Sequence, residues 1–530
     1  MTCSVRGAFL WLGVVLYAGA PSFAGTVDGF VTNVKSTTAF NVGTLNILID
    51  AKTKCEVKTG YTLNYRAYPF GNIPKAYSDW NISRYVTADI SLCDAIHFVN
   101  GMRIHLKGTL RNDGQFLAAQ AIIYKIVPSA TLDGIALIEK APEVQQTVDG
   151  SRGLVWINGY PMTVTPHTTI LAYPSNTILR YSLHSNGTLR MDTRTPSDVG
   201  VRSTSIVEIK ANTWGMYHAT RASDGTISVS CLRSWPNEMD EKETKYLAKY
   251  RVVSDAPDYG QKLPGRIRLN HGTRVSIIAD PVVQKWVTEL GMEMVPQYQR
   301  TLSGADATKI NFHFYIVHGL IPKAENNVIN IDGRISQCNI IFTCGDNIGN
   351  APILAMPNGI ILIPDYALLG MHSKAQLAAL LSYAVTSVVQ KQSYIAWPLI
   401  KSSRAKMYLV ANPGGSSEPF VQSLGVWLNE QVLRIGIHEV LLAGYDIRDA
   451  PFAWTAAQGK PINNPVLDAQ KLAKKNTTVP WYAAYAFNYI SQYYKDVDYS
   501  KLKRGRREYQ QFLKELYKTD PNLKNPAAQK

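Results

Sequence analysis

The helix-rich part of this chain contains three residues that are candidates for a metal site: His372, His438 and Glu439. Imidazole and carboxylate groups bind zinc when several of them converge on one point. His438 and Glu439 are adjacent, however, and adjacent residues on a helix point about 100° apart. We therefore expect these three side chains to be exposed polar groups and not metal ligands.

Other common chemical signatures are missing from the sequence. It contains no Gly-x-Ser-x-Gly turn, no phosphate-binding loop, no Gly-x-Gly-x-x-Gly and no His-Glu-x-x-His. His313 and His318 are five residues apart in an apparent strand, where alternate side chains face opposite sides. We expect both to be structural.

One long segment has the motif order of a known kind of enzyme. The residues that carry the likeness are Asn350-Ala351, Pro357-Asn358-Gly359-Ile360-Ile361, Leu368-Leu369, Ser373, Gln376-Leu377-Ala378, the run from Ser382 to Val389, Arg434-Ile435-Gly436 and Ala443-Gly444-Tyr445-Asp446. Over residues 279–450 the chain resembles zinc metallopeptidases of the HtpX and CAAX prenyl protease type. The resemblance implies a gluzincin-like α+β domain that is mostly helical.

The resemblance also implies which positions would hold the zinc. In the family, two histidines one helical turn apart bind the metal, and the glutamate between them acts as the general base. The matching positions are Tyr383 and Ser387 for the ligands and Ala384 for the base. The family's third ligand and the aspartate after it correspond to Asn429 and Leu433. All five residues lack the family's chemistry, so the resemblance implies a degenerate site with no metal and no cofactor.

The loss of these groups has a large chemical consequence. Zinc lowers the pKa of its bound water from about 15.7 towards 7, and a general base typically adds about 10² to 10⁴ in rate. Glu430 lies one residue from the third ligand position, but that step turns the helix by about 100°. We expect no peptide hydrolysis at this site.

A second property implied by the resemblance is peptide binding. The family's edge strand corresponds to Pro357, Asn358, Gly359, Ile360 and Ile361. An edge strand can pair with an extended peptide without any metal. These five residues are therefore the candidate peptide-binding edge.

Composition limits the classes of protein to consider. The chain has 530 residues, 46% hydrophobic and 18% charged, which favours about three folded domains over a disordered chain. The formal net charge is +15, but the basic excess is spread out, and only Lys501 to Arg507 is a dense basic run. We expect no nucleic-acid partner.

The first 24 residues have the pattern of a secretory signal peptide. Arg6 precedes an apolar run from Ala8 to Ala20, and Ser22-Phe23-Ala24 supplies small residues at the cleavage positions. This run is shorter than the ~20 residues that a membrane-spanning helix needs, and no later run reaches that length. We expect a soluble extracytoplasmic protein, periplasmic or secreted, without a transmembrane segment.

Five cysteines remain after removal of the signal peptide, and none forms a Cys-x-x-Cys pair. This excludes a zinc ribbon. In an oxidising compartment the candidate disulfides are Cys55 with Cys93 and Cys338 with Cys344, which leaves Cys231 free.

The region from Thr26 to Trp235 consists of short β-branched runs separated by Gly, Asn and Asp, and it contains a repeat. Val27 to Val31 recurs as Leu132 to Ala136, and Asn112 to Gln115 recurs as Ser223 to Thr226. The repeat predicts two homologous all-β modules, 25–128 and 129–235. They resemble the OB-like β-barrels that recur in secreted bacterial proteins. The run from Gly101 to Gly108 is matched to Ile206 to Lys210.

After a linker at 236–262, the pattern changes to helices within a third domain, 263–530. Asp280-Pro281 and Ser373 to Gln376 are helix starts, and a further helix runs from about Glu418 to Leu442, ending at Gly444. Buried helix positions are predicted at Leu377, Leu380, Leu381, Ala384 and Val388, and in the tail at Tyr509, Phe512, Leu513 and Leu516.

The function favoured by this pattern is that of a pseudopeptidase that binds or scaffolds a polypeptide or a cell-envelope component. One alternative is a zinc metalloendopeptidase with a rewired site. Another is a binder of anionic polymer through the OB-like modules, although these lack the interleaved aromatic and basic residues on which base stacking depends.

Overall fold

The structure is a computed structural model that describes residues 23–42, 45–61, 87–93, 96, 98–99, 102–127, 130–174, 178–183, 189–194, 200–248, 266–268, 274–317, 353–394, 419–456 and 481–519. Strands form the first half of the chain, and helices predominate after residue 280. In these ranges no helix is both long enough and apolar enough to span a bilayer.

The first β module is a closed five-stranded barrel with one additional strand. Its strands are β1 (Phe23–Ser36), β2 (Ala39–Val42), β3 (Leu45–Tyr61), β4 (Thr87–Leu92), β5 (Arg103–Leu110) and β6 (Gln115–Val127). Pairing runs β1–β2–β3–β6–β5 and returns to β1, and only the β3–β6 pair is parallel. Strand β4 pairs with the later part of β3. Val31, Phe40, Ile104 and Phe116 belong to a core that is separate, among the residues the structure describes, from the core of the second β module and the helices.

A disulfide joins β3 to the end of β4. Cys55 and Cys93 are bonded, with their Cα atoms 5.2 Å apart, which confirms the predicted pair. Cys231 is a free thiol, as predicted. Cys338 and Cys344 lie outside the described residues.

The second β module repeats the order of pairings. Its strands are β7 (Thr131–Thr147), β8 (Gly150–Ile157), β9 (Tyr160–Val164), β10 (Thr169–Ala172), β11 (Ile178–Leu183), β12 (Leu189–Arg194), β13 (Arg202–Ser203), β14 (Thr213–Arg221) and β15 (Ile227–Pro236). Pairing runs β7–β8–β9–β15–β14 and returns to β7, with a short parallel β9–β15 pair. Strand β10 continues the parallel pairing along β15. Strands β9 and β10 together therefore take the place that the long β3 has in the first module.

The sequence repeat corresponds to equivalent positions in the two modules. Asp28 on β1 lies opposite His105 on β5, and Asp133 on β7 lies opposite His218 on β14. In the second pair, His218 Nδ1 is 2.7 Å from Asp133 Oδ1. The repeat thus includes an Asp–His cross-strand pairing that the sequence comparison did not use.

The two Asp-Gly turns are also alike. Asp113 accepts a hydrogen bond from the Gln115 N–H at 2.9 Å, and Asp224 accepts one from the Thr226 N–H at 2.8 Å. The glycine that follows each aspartate has a positive φ, 77° and 91°. Both turns connect antiparallel neighbours, as the pattern predicts.

The match of Gly101–Gly108 to Ile206–Lys210 is wrong. Ile206–Glu208 is a 3₁₀ turn, and the strand equivalent to β5 is β14, Thr213–Arg221. Ile206 and Ile209 are buried apolar residues at a turn. These buried, branched residues gave the sequence a strand-like pattern at a place where no strand forms.

The remaining elements form the helical region. They are α1 (Glu241–Leu247), β16 (Arg266–Arg268), β17 (Arg274–Ser276), α2 (Pro281–Glu293), α3 (Gln297–Thr301), β18 (His313–Val317), β19 (Leu354–Ala355), β20 (Ile360–Pro364), α4 (Asp365–Leu369), α5 (Lys374–Val389), α6 (Pro419–Leu442), α7 (Ala450–Ala456), α8 (Trp481–Tyr493) and α9 (Arg506–Thr519).

The predicted helix ends are confirmed where the structure describes them. Asp280 caps α2 by accepting from the Val282 and Val283 N–H groups, and Ser373 caps α5 by accepting from the Gln376 N–H. Helix α6 ends at Leu442, and Gly444 follows with a φ of 83°. Every predicted apolar position of α5 and α9 is buried.

The segment predicted as a linker contains α1, which packs against the helical region. Tyr246 is buried, and its hydroxyl is hydrogen-bonded to Ser393 Oγ. Glu243 forms an ion pair with Lys391 at 2.9 Å, with both side chains nearly buried. The start of the predicted linker is therefore a packed element.

The second β module and the helical region share one hydrophobic core. It extends from Ile135 and Leu137 on β7 through α2 and α5 to Leu516 on α9. The boundary expected near residue 236 is therefore a boundary in secondary structure but not in packing.

Candidate functional site

Helices α5 and α6, which carry the positions that the resemblance matches to the family's zinc site, cross in close contact. Ser382 Oγ on α5 donates to the Gly436 carbonyl oxygen on α6 at 2.9 Å. A Cβ at position 436 would lie 3.3 Å from the Tyr383 nitrogen. Gly436 is thus the residue that allows the helices to approach closely.

Near this crossing, Tyr383, which the resemblance matches to the family's first zinc ligand, packs as an aromatic side chain. Tyr383 is 3% exposed, and its ring meets that of Trp454 on α7 edge to face, with centroids 4.7 Å apart. Tyr383 and Leu433 line a small cavity together with Trp454 and Gly436. Two of the five positions that the resemblance matches to the zinc site, one from each helix, are therefore brought together.

The other three positions differ in what they contribute. Ala384 is fully buried, and Ser387 Oγ donates to the Ala384 carbonyl oxygen at 2.9 Å within α5. Asn429 lies on α6, but its side chain is outside the described residues. Glu430 Oε2 lies 3.8 Å from Arg434 Nη1 on the same helix.

No metal-binding cluster is present in the described part of the chain: no group of three or more His, Cys, Asp or Glu side chains there is arranged to hold an ion. His372 is exposed, whereas His438 is 3% exposed. These two histidines do not form a site.

The expectation that His438 and Glu439 are exposed polar groups is wrong. The His438 ring stacks on Trp156 of β8 with centroids 3.7 Å apart, and its Nδ1 lies 2.8 Å from Oε2 of Glu139 on β7. Glu439 is 7% exposed. Burial, reinforced by the nearby charge of Glu139, raises the pKa of Glu439 to about 8, against a smaller opposing effect of Arg300. A buried acidic and imidazole cluster therefore lies between the second β module and α6.

Next to this cluster, the β8–β9 turn inserts against α6. Asn158 and Gly159 have φ values of 60° and 74°, as expected of an Asn-Gly hairpin turn. Arg434 donates to the Asn158 carbonyl oxygen and to Asn158 Oδ1, both at 2.8 Å, and to the Tyr485 hydroxyl at 2.6 Å. The Gly159 N–H donates to Glu139 Oε1 at 2.6 Å. The turn joins the Arg434 and His438 contacts into one buried network.

Sequence reasoning missed Glu139, Asn158 and Arg434 as members of this network. The Asn-Gly pair indicates a hairpin, but nothing local to it indicates that the hairpin enters another domain. The residues of the contact between Arg434 and Asn158 are 276 positions apart in the chain. Local sequence patterns could not identify this contact, because its two residues are brought together only by the tertiary fold.

The candidate edge strand is placed differently from the prediction. Pro357, Asn358 and Gly359 form the turn between β19 and β20, with a Gly359 φ of 95°. Ile360 and Ile361 lie in β20, which pairs with β18 on one side and β19 on the other. The edge prediction is therefore wrong for Ile360 and Ile361, because partner strands already occupy both sides of β20.

A larger cavity lies beside the Pro357 turn. Ser387 and Val388 of α5, Asn237 after β15 and Leu247 of α1 contribute to its walls. Ser387, which the resemblance matches to the family's second zinc ligand, therefore lines a space whose wall includes the start of the predicted linker.

No family model matches the chain, and the comparison with curated proteins gives no match either.

Proposed function

We propose that the protein is a non-hydrolytic binding or scaffold protein, a pseudopeptidase with a metallopeptidase-like α+β region, whose partner is a polypeptide or a cell-envelope component. The observation that carries this proposal is the packing of Tyr383 and Leu433 at the contact of α5 with α6. A scaffold that holds these positions together while filling them with aromatic and aliphatic side chains supports binding over hydrolysis.

The chemistry of the five positions supports the same proposal. Zinc sites of this class need imidazole and carboxylate ligands and a general base. Alanine and leucine offer no ligand atom, and the Ser387 hydroxyl is already engaged by the Ala384 carbonyl. Tyr383 alone would not hold a metal.

The strand order of both β modules supports their interpretation as OB-like barrels. A five-stranded Greek-key barrel is the architecture of that fold. Each module has a closed ring of five pairings with a single parallel pair. The Cys55–Cys93 disulfide agrees with the extracytoplasmic location that the signal-peptide pattern predicts.

The experiment that tests the proposal combines metal analysis with a protease assay. We expect purified protein, loaded with excess zinc and desalted, to retain less than one equivalent of zinc and to leave unfolded casein intact. One equivalent of tightly held zinc, or cleavage that a chelator abolishes, would favour the rewired metallopeptidase instead. Affinity purification from native envelope fractions would identify the partner.

A further inference from the structure

Helix α9 is fixed on the helical region by one apolar face. Four side chains of that face are buried: Tyr509, Phe512, Leu513 and Leu516. The Phe512 ring stacks on the Trp286 ring of α2 with centroids 4.1 Å apart, and the Tyr509 hydroxyl donates to the Leu368 carbonyl oxygen at 2.7 Å. The opposite face of α9 therefore points away from the protein.

The outward face of α9 carries a row of cations. At about 100° per residue, position 507 lies about 180° from the buried Leu516, and positions 514 and 518 lie within about 20° of position 507. Arg507, Lys514 and Lys518 are all exposed. With a rise of about 1.5 Å per residue, they extend over about 16 Å of the helix surface. We call these three residues the basic stripe.

The segment that leads into α9 adds further cations at the N-terminal end of the stripe. Lys503 is exposed, and its backbone is held in place by the loop that follows α6. Its N–H donates to the Gly444 carbonyl oxygen, and its carbonyl oxygen accepts from the Asp446 N–H, both at 2.9 Å. Residues 501–518 include seven basic and two acidic residues, so this segment carries five of the fifteen excess positive charges of the chain.

Most of these outward cations are not neutralised within the part of the chain that the structure describes. Lys518 has an acidic partner there, Glu515 at 2.8 Å, and both of these side chains are solvent-exposed. Arg506, Arg507 and Lys514 form no ion pair with a described residue. Arg506 and Arg507 also begin α9, where the positive end of the helix dipole disfavours cations. The stripe therefore does not serve the stability of α9.

The shape of this surface selects an extended anionic partner. The stripe lies on the convex outside of a helix, and neither of the two cavities described above includes any of its residues. A small anion needs a concave site with converging donors, whereas a bilayer with anionic headgroups presents phosphates across a plane. Gln511, which lies between the cations, is uncharged, so the stripe itself has no aromatic ring for the base stacking that single-stranded nucleic acid uses.

We propose that the basic stripe docks the protein on an anionic membrane surface, without insertion into the bilayer. The apolar face of α9 is already used in the core, so the attraction is electrostatic. Lys503 and Arg506, next to the stripe, add to it. This inference rests on the proposed function, because it gives the cell-envelope component a chemical class, an anionic lipid surface.

The test measures cosedimentation of the whole protein with two kinds of lipid vesicle. One contains equal parts of phosphatidylcholine and phosphatidylglycerol, and the other contains phosphatidylcholine alone. Wild type should bind the mixed vesicles and not the neutral ones, and binding should vanish at about 1 M salt, where the Debye length is about 3 Å. Each Lys or Arg near such a surface contributes about fivefold to the binding constant, so Arg507→Gln with Lys514→Gln and Lys518→Gln should weaken binding about 100-fold.

A matched control separates the stripe from net charge. Lys52→Gln with Lys210→Gln and Lys242→Gln removes the same number of charges at exposed positions elsewhere, and this variant should bind nearly as tightly as wild type. Equal losses in the two variants, no binding of wild type to the mixed vesicles, or equal binding to both kinds of vesicle would each overturn the proposal. The wild-type comparison decides the matter even if the stripe variant does not fold. Stripe-dependent binding to heparin or duplex DNA without binding to vesicles would reject the membrane in favour of a polymer.

The vesicle assay and the zinc and casein assays separate this inference from the proposed function. If wild type binds no vesicles, holds no zinc and leaves casein intact, the non-hydrolytic function would stand and the stripe would fail as a membrane site. If wild type binds vesicles through the stripe but cleaves casein in a chelator-sensitive way, the stripe would stand and the pseudopeptidase function would fail.

Discussion

Gly159 of the β8–β9 turn lies so close to Arg434 of α6 that a Cβ on Gly159 would stand 2.4 Å from the Arg434 Cβ and 2.7 Å from its carbonyl carbon. The same turn receives three hydrogen bonds from the Arg434 and Tyr489 side chains. Docking of the second β module on the helical region therefore depends on a position without a side chain.

Gly159→Ala is expected to destabilise this joint unit by about 2 kcal/mol or more. Two effects add: the positive φ of 74° and the contact with helix backbone. Urea denaturation would measure the free energy of unfolding. The control is Gly225→Ala in the β14–β15 turn, where φ is 91° but no atom lies within 4 Å of the added methyl group. An equal cost for both substitutions would show that the contact with Arg434 contributes nothing.

The pH dependence of stability should reflect Glu439. Its pKa in the folded protein is about 8, above the value of about 4.3 for an unfolded glutamate. Between these values the folded state retains a proton that the unfolded state has lost, so stability decreases as pH rises from about 4.3 to about 8. Glu439→Gln has no proton to lose at this position, so it should not show this decrease. Its free energy of unfolding relative to wild type should therefore rise by roughly 3 to 5 kcal/mol as the pH increases through this range.

Chemical denaturation at a series of pH values would measure the effect. Glu289→Gln on α2 is the control, because that side chain is 61% exposed, and its difference from wild type should change little with pH. A constant difference between wild type and Glu439→Gln would contradict the raised pKa.

The ion pair between Glu243 and Lys391 should hold α1 against the helical region. Burial raises the pKa of Glu243, and Lys391 opposes that rise. Glu243→Leu leaves a nearly buried ammonium group without its partner, so we expect a loss of about 2 to 3 kcal/mol and faster hydrogen exchange in residues 241–247. The double change Glu243→Leu with Lys391→Met should recover most of the loss. A double variant as unstable as the single one would show that the charge pair is not the cause.

Removal of the Cys55–Cys93 disulfide should affect the first β module alone. The bond closes a separation of 38 residues, for which the loss of chain constraint costs about 4 kcal/mol. Because this module has a separate core, Cys55→Ala with Cys93→Ala should produce an early unfolding transition while the second transition keeps its midpoint. A single transition that moves as a whole would show that the two cores unfold together.

The packing of α5 against α6 permits a direct test of the metallopeptidase resemblance. Tyr383→His, Ala384→Glu, Ser387→His and Asn429→Glu together should create three zinc ligands and a base. Because charge is buried without metal, the apo variant should melt below wild type and regain stability on adding zinc. The same variant with Ser387 retained lacks one ligand and serves as the control. A folded quadruple variant that neither binds zinc nor gains stability from it would contradict the residue alignment.

Local signals in the sequence predicted local structure well. The caps at Asp280 and Ser373 were identified from residue types at fixed spacing, because their partners lie within a few residues. Cys55 and Cys93 were paired because both lie in the first predicted module of an exported protein, and the structure confirms the bond. The strand order itself was not predictable, since it is set by pairings between distant segments.

The errors have a common physical origin. His438 was expected to be exposed because the residues next to it in sequence give no sign of its contacts with Trp156 and Glu139. Those two residues belong to the second β module and bury the His438 ring. The candidate edge strand was misplaced because β18, His313–Val317, lies well before β20 in the chain and pairs with it in parallel. In both cases a contact with a residue far away in sequence was missed.

The shared core of the second β module and the helices also constrains how the chain is made. Glu139 and its partner His438 are 299 residues apart. At a synthesis rate of about 5 to 20 residues per second, β7 emerges roughly 15 to 60 s before the helix that covers it. During that interval the apolar face of the module is open to wrong contacts, whereas the first barrel can close as soon as β6 has been made. A holdase chaperone that acts on the nascent chain should therefore select the second module over the first.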